Sequence, residues 1–368
     1  MKVIFCNTAY LKFYDGRVAG ELKPASGGRW VVENEDAHEK WNFLNFDGYC
    51  YGYVQGNGEQ IHIENLEKVS TQQDSASDVL VVWCANHPER GTVIVGWYEH
   101  AVMHRYPQRV RNTAVTGIDR YCWFSTAAEN AYLLPEELRT FSVGRAAKDG
   151  TGRGFGQQNY WFAQSKYAQE ELIPNVLKFI EENRGNRINT LNESFLPPRD
   201  LKPLSPKEEL EYAKYNGDEY DLDVLNFSYR IYHNNPNADN AYDIAIILSN
   251  LCQFRLAIPW YEKTLEFDPE DINTKGILAY TYQQCEFFDK SDVLAKELLA
   301  SDDNPDFRDE IYCMLADNAH HSGRFLESIN WLDTLIATSS NTELVEYTKG
   351  TKELWETDDT IRYYYRHD

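Results

Sequence analysis

Residues 238–271 read ADNAYDIAIILSNLCQFRLAIPWYEKTLEFDPED, and this stretch decides the fold of the second half of the chain. Two helices are predicted within it, and Pro269 closes the unit. Small or flat residues at the facing positions allow two helices to pack closely. The predicted core positions are Ala245, Leu248, Ala257, Tyr261 and Leu265. The stretch therefore predicts a helical hairpin.

The same pattern recurs downstream at a nearly fixed spacing. A step of 34 residues leads from Ala245 to Ala279, and a further step of 37 leads to Ala316. The other matched positions are Tyr282, Ser291, Ala319 and Ser328. Three consecutive registers predict a stack of hairpins, because one such unit cannot bury its apolar face alone.

Both ends of the predicted stack differ from its middle. Upstream, Ser205–Glu208 has the pattern of a capping box, which predicts the start of a degenerate first hairpin. Downstream, the helix predicted for Glu343–Trp355 is suited to cap the stack.

The 34-residue unit resembles the tetratricopeptide (TPR) repeat, and the resemblance extends over residues 205–368. It implies an all-α helical repeat domain whose surface recruits a protein partner.

The first half of the chain consists of short β-rich segments separated by turn signals. They are Val3–Cys6, Trp30–Val32, Tyr51–Val54, Gln60–Glu64, Val79–Ala85 and Thr92–Trp97. The last two predict a hairpin, and a helix is predicted from Lys166 to Asn183. The sequence thus predicts an α+β protein of two domains: a small, mostly antiparallel β-barrel with helices at 1–185, a linker at 186–204, and the repeat at 205–368.

Composition limits the class of protein. The chain has 368 residues, of which 42% are hydrophobic, as in folded globular proteins. Its apolar runs have the length of strands and are too short to span a membrane. Because the N-terminus lacks the pattern of a secretory signal, we expect a cytoplasmic protein with no membrane partner. The seven cysteines are widely spaced, which predicts neither disulfides nor zinc sites.

Charge is distributed unevenly between the two halves. The net charge of the chain is −22. Residues 1–204 contain 22 basic and 25 acidic residues, whereas residues 205–368 contain 14 basic and 33 acidic residues. The acidic repeat half favours a basic protein partner, because opposite charges steer association.

Two segments of the first half, VIVGWYEHAVMHR at Val93–Arg105 and GFGQQNYWFA at Gly154–Ala163, resemble a bacterial family in the PUA-like superfamily. That superfamily includes the EVE, YTH and ASCH domains. Over residues 1–165 the resemblance implies a reader of a modified base in DNA or RNA, such as N6-methyladenine or 5-methylcytosine, and by analogy a place in bacterial defence.

Such a reader stacks the base on aromatic faces, reads its edge with polar side chains and holds phosphates with cations. The candidate base-pocket residues are Trp97, Tyr98, Gln157, Gln158, Asn159 and Trp161, and the candidate phosphate contacts are Arg105, Arg109 and Arg153. A place in the hydrophobic core is an equal alternative for Trp97 and the favoured one for Trp161.

Two other hypotheses remain open. In the first, the whole protein is an interaction scaffold with no nucleic-acid role. In the second, it is an enzyme that acts on a nucleotide or nucleic acid through the glycine-rich residues 150–156 and Arg153. We find no catalytic constellation and no motif for a metal or cofactor. We therefore expect a binding protein and not an enzyme.

Overall fold

The computed structural model describes residues 1–16, 21, 38–56, 60–66, 73–110, 120–146, 153–214, 222–301 and 307–357. The predicted strand Trp30–Val32 and residues 150–152 of the glycine-rich segment lie outside them. The described residues divide into two compact units, with the boundary between Ser194 and Phe195. We call these the sheet unit and the repeat unit.

The sheet unit is built around seven strands. They are β1 (Lys2–Thr8), β2 (Tyr49–Gly52), β3 (Ser75–His87), β4 (Gly91–Val110), β5 (Arg120–Ala127), β6 (Ala131–Leu133) and β7 (Tyr160–Trp161). Their order in the sheet is β2-β5-β4-β3-β1-β7, and β6 pairs with β4. All pairings are antiparallel except that of β1 with β3. The predicted β3–β4 hairpin is confirmed.

The sheet is open, so the predicted closed barrel is not found. Strands β2 and β7 end the strand order, and no pairing joins them in the described part of the chain. The physical reason is visible in β3. Val81 and Trp83 belong to one hydrophobic cluster, while Val82 and Cys84 belong to the cluster on the other face. The apolar run of β3 is thus buried on both faces of one sheet.

One helix covers part of the second face. A π-helical segment, Ala168–Leu172, leads into α1 (Ile173–Asn183), so helical structure is confirmed where the sequence predicts it. Ala168, Leu172, Ile173, Val176 and Ile180 all pack into the same cluster as Val82 and Cys84.

The predicted linker 186–204 is divided between the two units. In the sheet unit, the backbone N–H of Ile188 donates to the carbonyl of Leu133 at 2.9 Å. In the repeat unit, Phe195 is buried and its carbonyl accepts a hydrogen bond from the Tyr229 hydroxyl at 2.8 Å.

The repeat unit contains nine helices in its described residues, and the predicted helical repeat is confirmed. They are α2 (Pro206–Tyr212), α3 (Leu222–Asn234), α4 (Ala238–Asn250), α5 (Phe254–Phe267), α6 (Ile272–Gln284), α7 (Phe288–Ala300), α8 (Arg308–His321), α9 (Phe325–Thr338) and α10 (Thr342–Thr357). Each helix from α3 onward packs on the next one along the chain, and α6 also contacts α8. The hairpins α4–α5, α6–α7 and α8–α9 therefore stack in series.

The residues that set the predicted register lie at the helix contacts. Ala245, Ala257, Ala279, Ala316 and Ala319 are all completely buried. At the upstream end, Ser205 caps α2 through the predicted capping box with Glu208. At the downstream end, the Trp355 ring of α10 stacks on His320 of α8 with the ring centroids 4.0 Å apart.

A buried polar network joins the last two hairpins. The Asn318 side chain of α8 donates to the Ser291 hydroxyl and to the Asp292 carboxylate of α7, each at 2.9 Å. It also accepts from the Gln283 amide of α6 at 2.9 Å. Arg324 neutralises Asp292 at 2.8 Å. Because hydrogen bonds need defined geometry, this network fixes the register of one hairpin on the next.

We predict that Asn318→Ala destabilises the repeat unit by about 2 kcal/mol, because the polar groups of Gln283 and Ser291 lose a buried partner. The measurement is amide hydrogen exchange on the intact protein. Exchange should accelerate in α6–α9 and stay unchanged in β3 and β4. Asn330→Ala, at an exposed position of α9, is the control. Unchanged exchange in α6–α9 would show that the network does not hold the hairpins.

Candidate docking cleft

The structure separates the aromatic residues predicted to form a base pocket. Trp97 and Tyr98 are adjacent in β4, so their side chains point to opposite faces of the sheet. Both side chains are completely buried. Trp97 stacks on Tyr132 with centroids 5.2 Å apart, and the Tyr98 hydroxyl donates to the carbonyl of Asn42. Neither offers a ring face to a base in this structure.

Trp161 lies in β7 and is half-buried against the cluster that contains Trp97. Its ring centroid lies 5.4 Å from that of Phe5. Gln157 and Gln158 are exposed, and Asn159 is half-buried with its side chain donating to the carbonyl of Gln55 at 3.3 Å. Trp161 and Trp97 are thus packing residues of the same hydrophobic cluster.

The three candidate arginines occupy different environments. Arg105 is buried and forms an ion pair with Glu64 at 2.8 Å. Hydrogen bonds from the Glu64 backbone, from His62 and from Arg105 lower the pKa of Glu64 to about 2. Arg109 is half-buried in β4. Arg153 is exposed, with its guanidinium 5.5 Å from the Tyr167 ring centroid. Only Arg153 among them is freely accessible to solvent.

A cleft of about 530 Å³ lies in the repeat unit. The first helices of three consecutive hairpins, α4, α6 and α8, contribute to its lining, together with one residue of α7. The apolar lining residues are Ile272, Ile277, Leu298, Phe307, Ile311 and Met314. The cleft therefore exists only because the hairpins are stacked.

The floor of the cleft is part of the hydrophobic core. Leu298 and Ile311 are buried in a cluster against which Ile272 and Met314 pack partly exposed. Because Ile272 and Met314 are packed on buried residues and remain partly exposed themselves, the cleft offers apolar surface that a ligand can cover.

Helix α6 has an apolar residue pattern on two faces, which explains its central place in the cleft. One face is buried and includes Leu278, Ala279 and Tyr282. The other face lines the cleft with Ile272, Asn273, Gly276, Ile277 and Tyr280. Asp271 starts the helix by accepting hydrogen bonds from the backbone N–H groups of Asn273 and Thr274 at 3.0 and 3.2 Å.

Gly276 leaves a gap in the wall of the cleft. No atom lies within 4 Å of the position that a Cβ would occupy there, so a side chain at this point would extend into open space. A glycine in the middle of a helix costs about 0.5–1 kcal/mol relative to alanine. In sequence, Gly276 interrupts an otherwise helical pattern. This glycine is therefore the sequence signal of the cleft, and it is not among the predicted site residues.

Polar groups lie at the margin of the apolar surface. Tyr242, Asn273, Tyr280 and Glu310 complete the lining. Burial, followed by the charges of Asp271 and Asp243, raises the pKa of Tyr242, so its hydroxyl stays protonated at neutral pH. In sequence, residues 302–310 carry five acidic residues and a single arginine. The cleft thus combines an apolar floor with the exposed carboxylate of Glu310.

Other kinds of site are not seen in the described ranges. They contain no group of three or more His, Cys, Asp or Glu side chains arranged to hold a metal ion. No helix within them combines the length and the apolar character needed to cross a membrane.

Comparison with known proteins gives little more. No family model matches the chain, and no curated protein matches it. One matching solved structure is that of YrrB, described as a TPR protein with an unusual peptide-binding site; it is 17% identical, with coverage of 47% of this chain and 97% of that chain and a TM-score of 0.32. That score is too low to carry an argument, so the helical repeat rests on the packing described above. The PUA-like resemblance receives no support from these comparisons.

We predict that Trp97→Ala destabilises the sheet unit by about 3–5 kcal/mol, because it leaves a large cavity in the core. The matched control is Gln157→Ala at an exposed position, which should change the free energy of unfolding by less than about 0.5 kcal/mol. Urea denaturation of both variants provides the measurement. A stable Trp97→Ala protein would mean that the side chain is not a core residue.

Proposed function

We propose that this protein is an interaction protein whose repeat unit docks a segment of another protein in the cleft formed by α4, α6, α7 and α8. The observation that carries the proposal is the cleft itself, an apolar cavity of about 530 Å³ on stacked helices. Cavities that bind ligands generally have volumes of about 300–1,000 Å³ and a largely apolar lining with a few polar groups.

The size and shape of the cleft suit one or a few side chains of a protein segment. An apolar groove between helices typically binds a segment through anchors spaced along one face. The partly exposed atoms of Ile272, Ile277 and Met314 provide the contact surface, and covering them removes apolar area from water. The rigid hydrophobic floor reduces the entropy lost on binding.

Charge favours a basic partner. Glu310 is exposed at the cleft, and the surrounding sequence is strongly acidic. Acidic groups around an apolar site accelerate the association of a segment that carries Lys or Arg next to its anchor. They also repel acidic segments, so charge contributes to selectivity.

The sheet unit has no established role in this proposal. Reading of a modified base by that unit stays a prediction, now without Trp97 and Tyr98 as exposed ring faces. The expectation that the protein is not an enzyme also remains to be tested. A direct assay is incubation of the full chain with nucleotides, followed by chromatography of the products.

The experiment is selection of a displayed library of random peptides on the full-length protein. We expect enriched peptides to combine apolar residues with Lys or Arg, to bind the wild type and to lose binding to Gly276→Trp. The new indole would occupy the cleft, whereas the open space at Gly276 lets the helix accept it without strain.

Two further variants serve as controls. Gly276→Ala should retain binding, because a methyl group fills little of the cavity. Glu310→Lys should weaken binding of the basic peptides at low salt and have less effect at high salt. Enriched peptides that bind Gly276→Trp as tightly as the wild type would place docking outside this cleft.

A further inference from the structure

Gly276 occupies a position at which the neighbouring hairpins carry a side chain. The 34-residue register that relates Ala245 to Ala279 also relates Tyr242 to Gly276, and both residues are the fifth of their helices. The following 37-residue step leads to Cys313 in α8. The series is thus Tyr, Gly, Cys, and only the middle hairpin lacks a side chain.

The missing side chain is not explained by crowding. Glycine is required where another backbone or a large side chain lies too close for a Cβ, as at Gly52, where a Cβ would lie 2.4 Å from Trp83. At Gly276 the same position is open. The backbone there is helical and accepts any L-residue, so glycine gives up helix stability with no structural benefit. Local rules broken in this way occur mainly at functional sites.

The walls around the gap favour an aromatic occupant. Tyr242 and Tyr280 provide rings, and Met314 provides a thioether. Aromatic rings pair with one another edge-to-face or offset, and methionine sulfur packs well against ring edges. Ile277 and Ile311 complete an apolar enclosure.

We propose that the partner inserts one aromatic side chain, of phenylalanine or tyrosine type, into the gap at Gly276, where it replaces the side chain that the repeat lacks. This inference rests on the proposed docking function and names the residue class that the cleft selects. Gly276 is then the residue that determines specificity. The carboxylate of Glu310 at the cleft favours a Lys or Arg next to that aromatic residue in the partner.

The chain contains an internal probe for this proposal. Of its three methionines, Met314 lines the cleft, Met103 is completely buried in the sheet unit, and Met1 is the first residue. Carbon-13 labelling of the methionine methyl groups of the full-length protein gives one signal that reports on the cleft and two that act as controls.

The first arm is titration of the wild type with the N-acetyl amides of phenylalanine, tyrosine, leucine and lysine. We expect the two aromatic amides to shift the Met314 methyl signal with an apparent affinity about tenfold above that of the leucine amide, because ring contacts add to apolar burial. The lysine amide should have no effect, and Met103 should not shift. Equal responses to leucine and aromatic amides would overturn the proposal.

The second arm is Gly276→Tyr, which restores the residue of the preceding hairpin. We expect the new ring to shift the Met314 methyl signal upfield without any ligand and to abolish the response to aromatic amides. Gly276→Ala should behave as the wild type. A Met314 signal that does not change in Gly276→Tyr would show that the gap does not lead into the cleft, and this would also overturn the proposal.

The two proposals fail in different ways. If library peptides bind through the cleft but Met314 responds equally to leucine, the docking function stands and the aromatic selectivity is wrong. If aromatic amides shift Met314 but no peptide is enriched, the cavity is selective and the docking of a protein segment is wrong.

Discussion

Helices in the repeat unit can approach one another only as closely as the residues between them allow, and the rest of that unit depends on this constraint. Alanine at the contact positions lets the hairpins stack, and no side chain there is exposed. Apolar packing alone tolerates sliding, however. The buried hydrogen bonds from Asn318 to the preceding hairpin define one register, because any slip would leave polar groups without partners.

The same register determines the candidate site. Once the hairpins are stacked, residues of α4, α6 and α8, among them Tyr242, Gly276 and Met314, line one cleft. Gly276 leaves the gap in this lining, because the position that a Cβ would occupy there is open. The buried positions of the repeat, Ala245, Ala279 and Ala316, thus stay the same from hairpin to hairpin. The equivalent positions that line the cleft, Tyr242 and Gly276, differ.

Much of the repeat unit could be predicted from the sequence because its contacts are local. Helical periodicity, the Ser205 capping box and the spacing of Ala245, Ala279 and Ala316 all act over fewer than 40 residues. The cleft was harder to predict, since it requires side chains from three hairpins in the correct rotation. Its sequence signal is Gly276, which lies one repeat after Tyr242. The role of this glycine can be recognised only once the stacking of the hairpins is known.

The sheet unit was predicted less well because its decisive pairings are distant in sequence. The β3–β4 hairpin is local and is predicted by the sequence, whereas the parallel pairing of Ile4 with Val81 joins segments more than 70 residues apart and has no local signal. Trp97 and Tyr98, both predicted to line a base pocket, are adjacent residues of β4. Adjacent residues of a strand point to opposite faces of the sheet, so the two side chains lie in different hydrophobic clusters.

The central claim is that a partner segment docks in the gap at Gly276. The most direct measurement is a structure of the full-length protein bound to a peptide enriched from the library. We expect an aromatic side chain of the peptide against the Cα of Gly276, between Tyr242 and Met314, with a basic residue of the peptide near Glu310. A peptide bound to another surface, with the cleft empty, would contradict it.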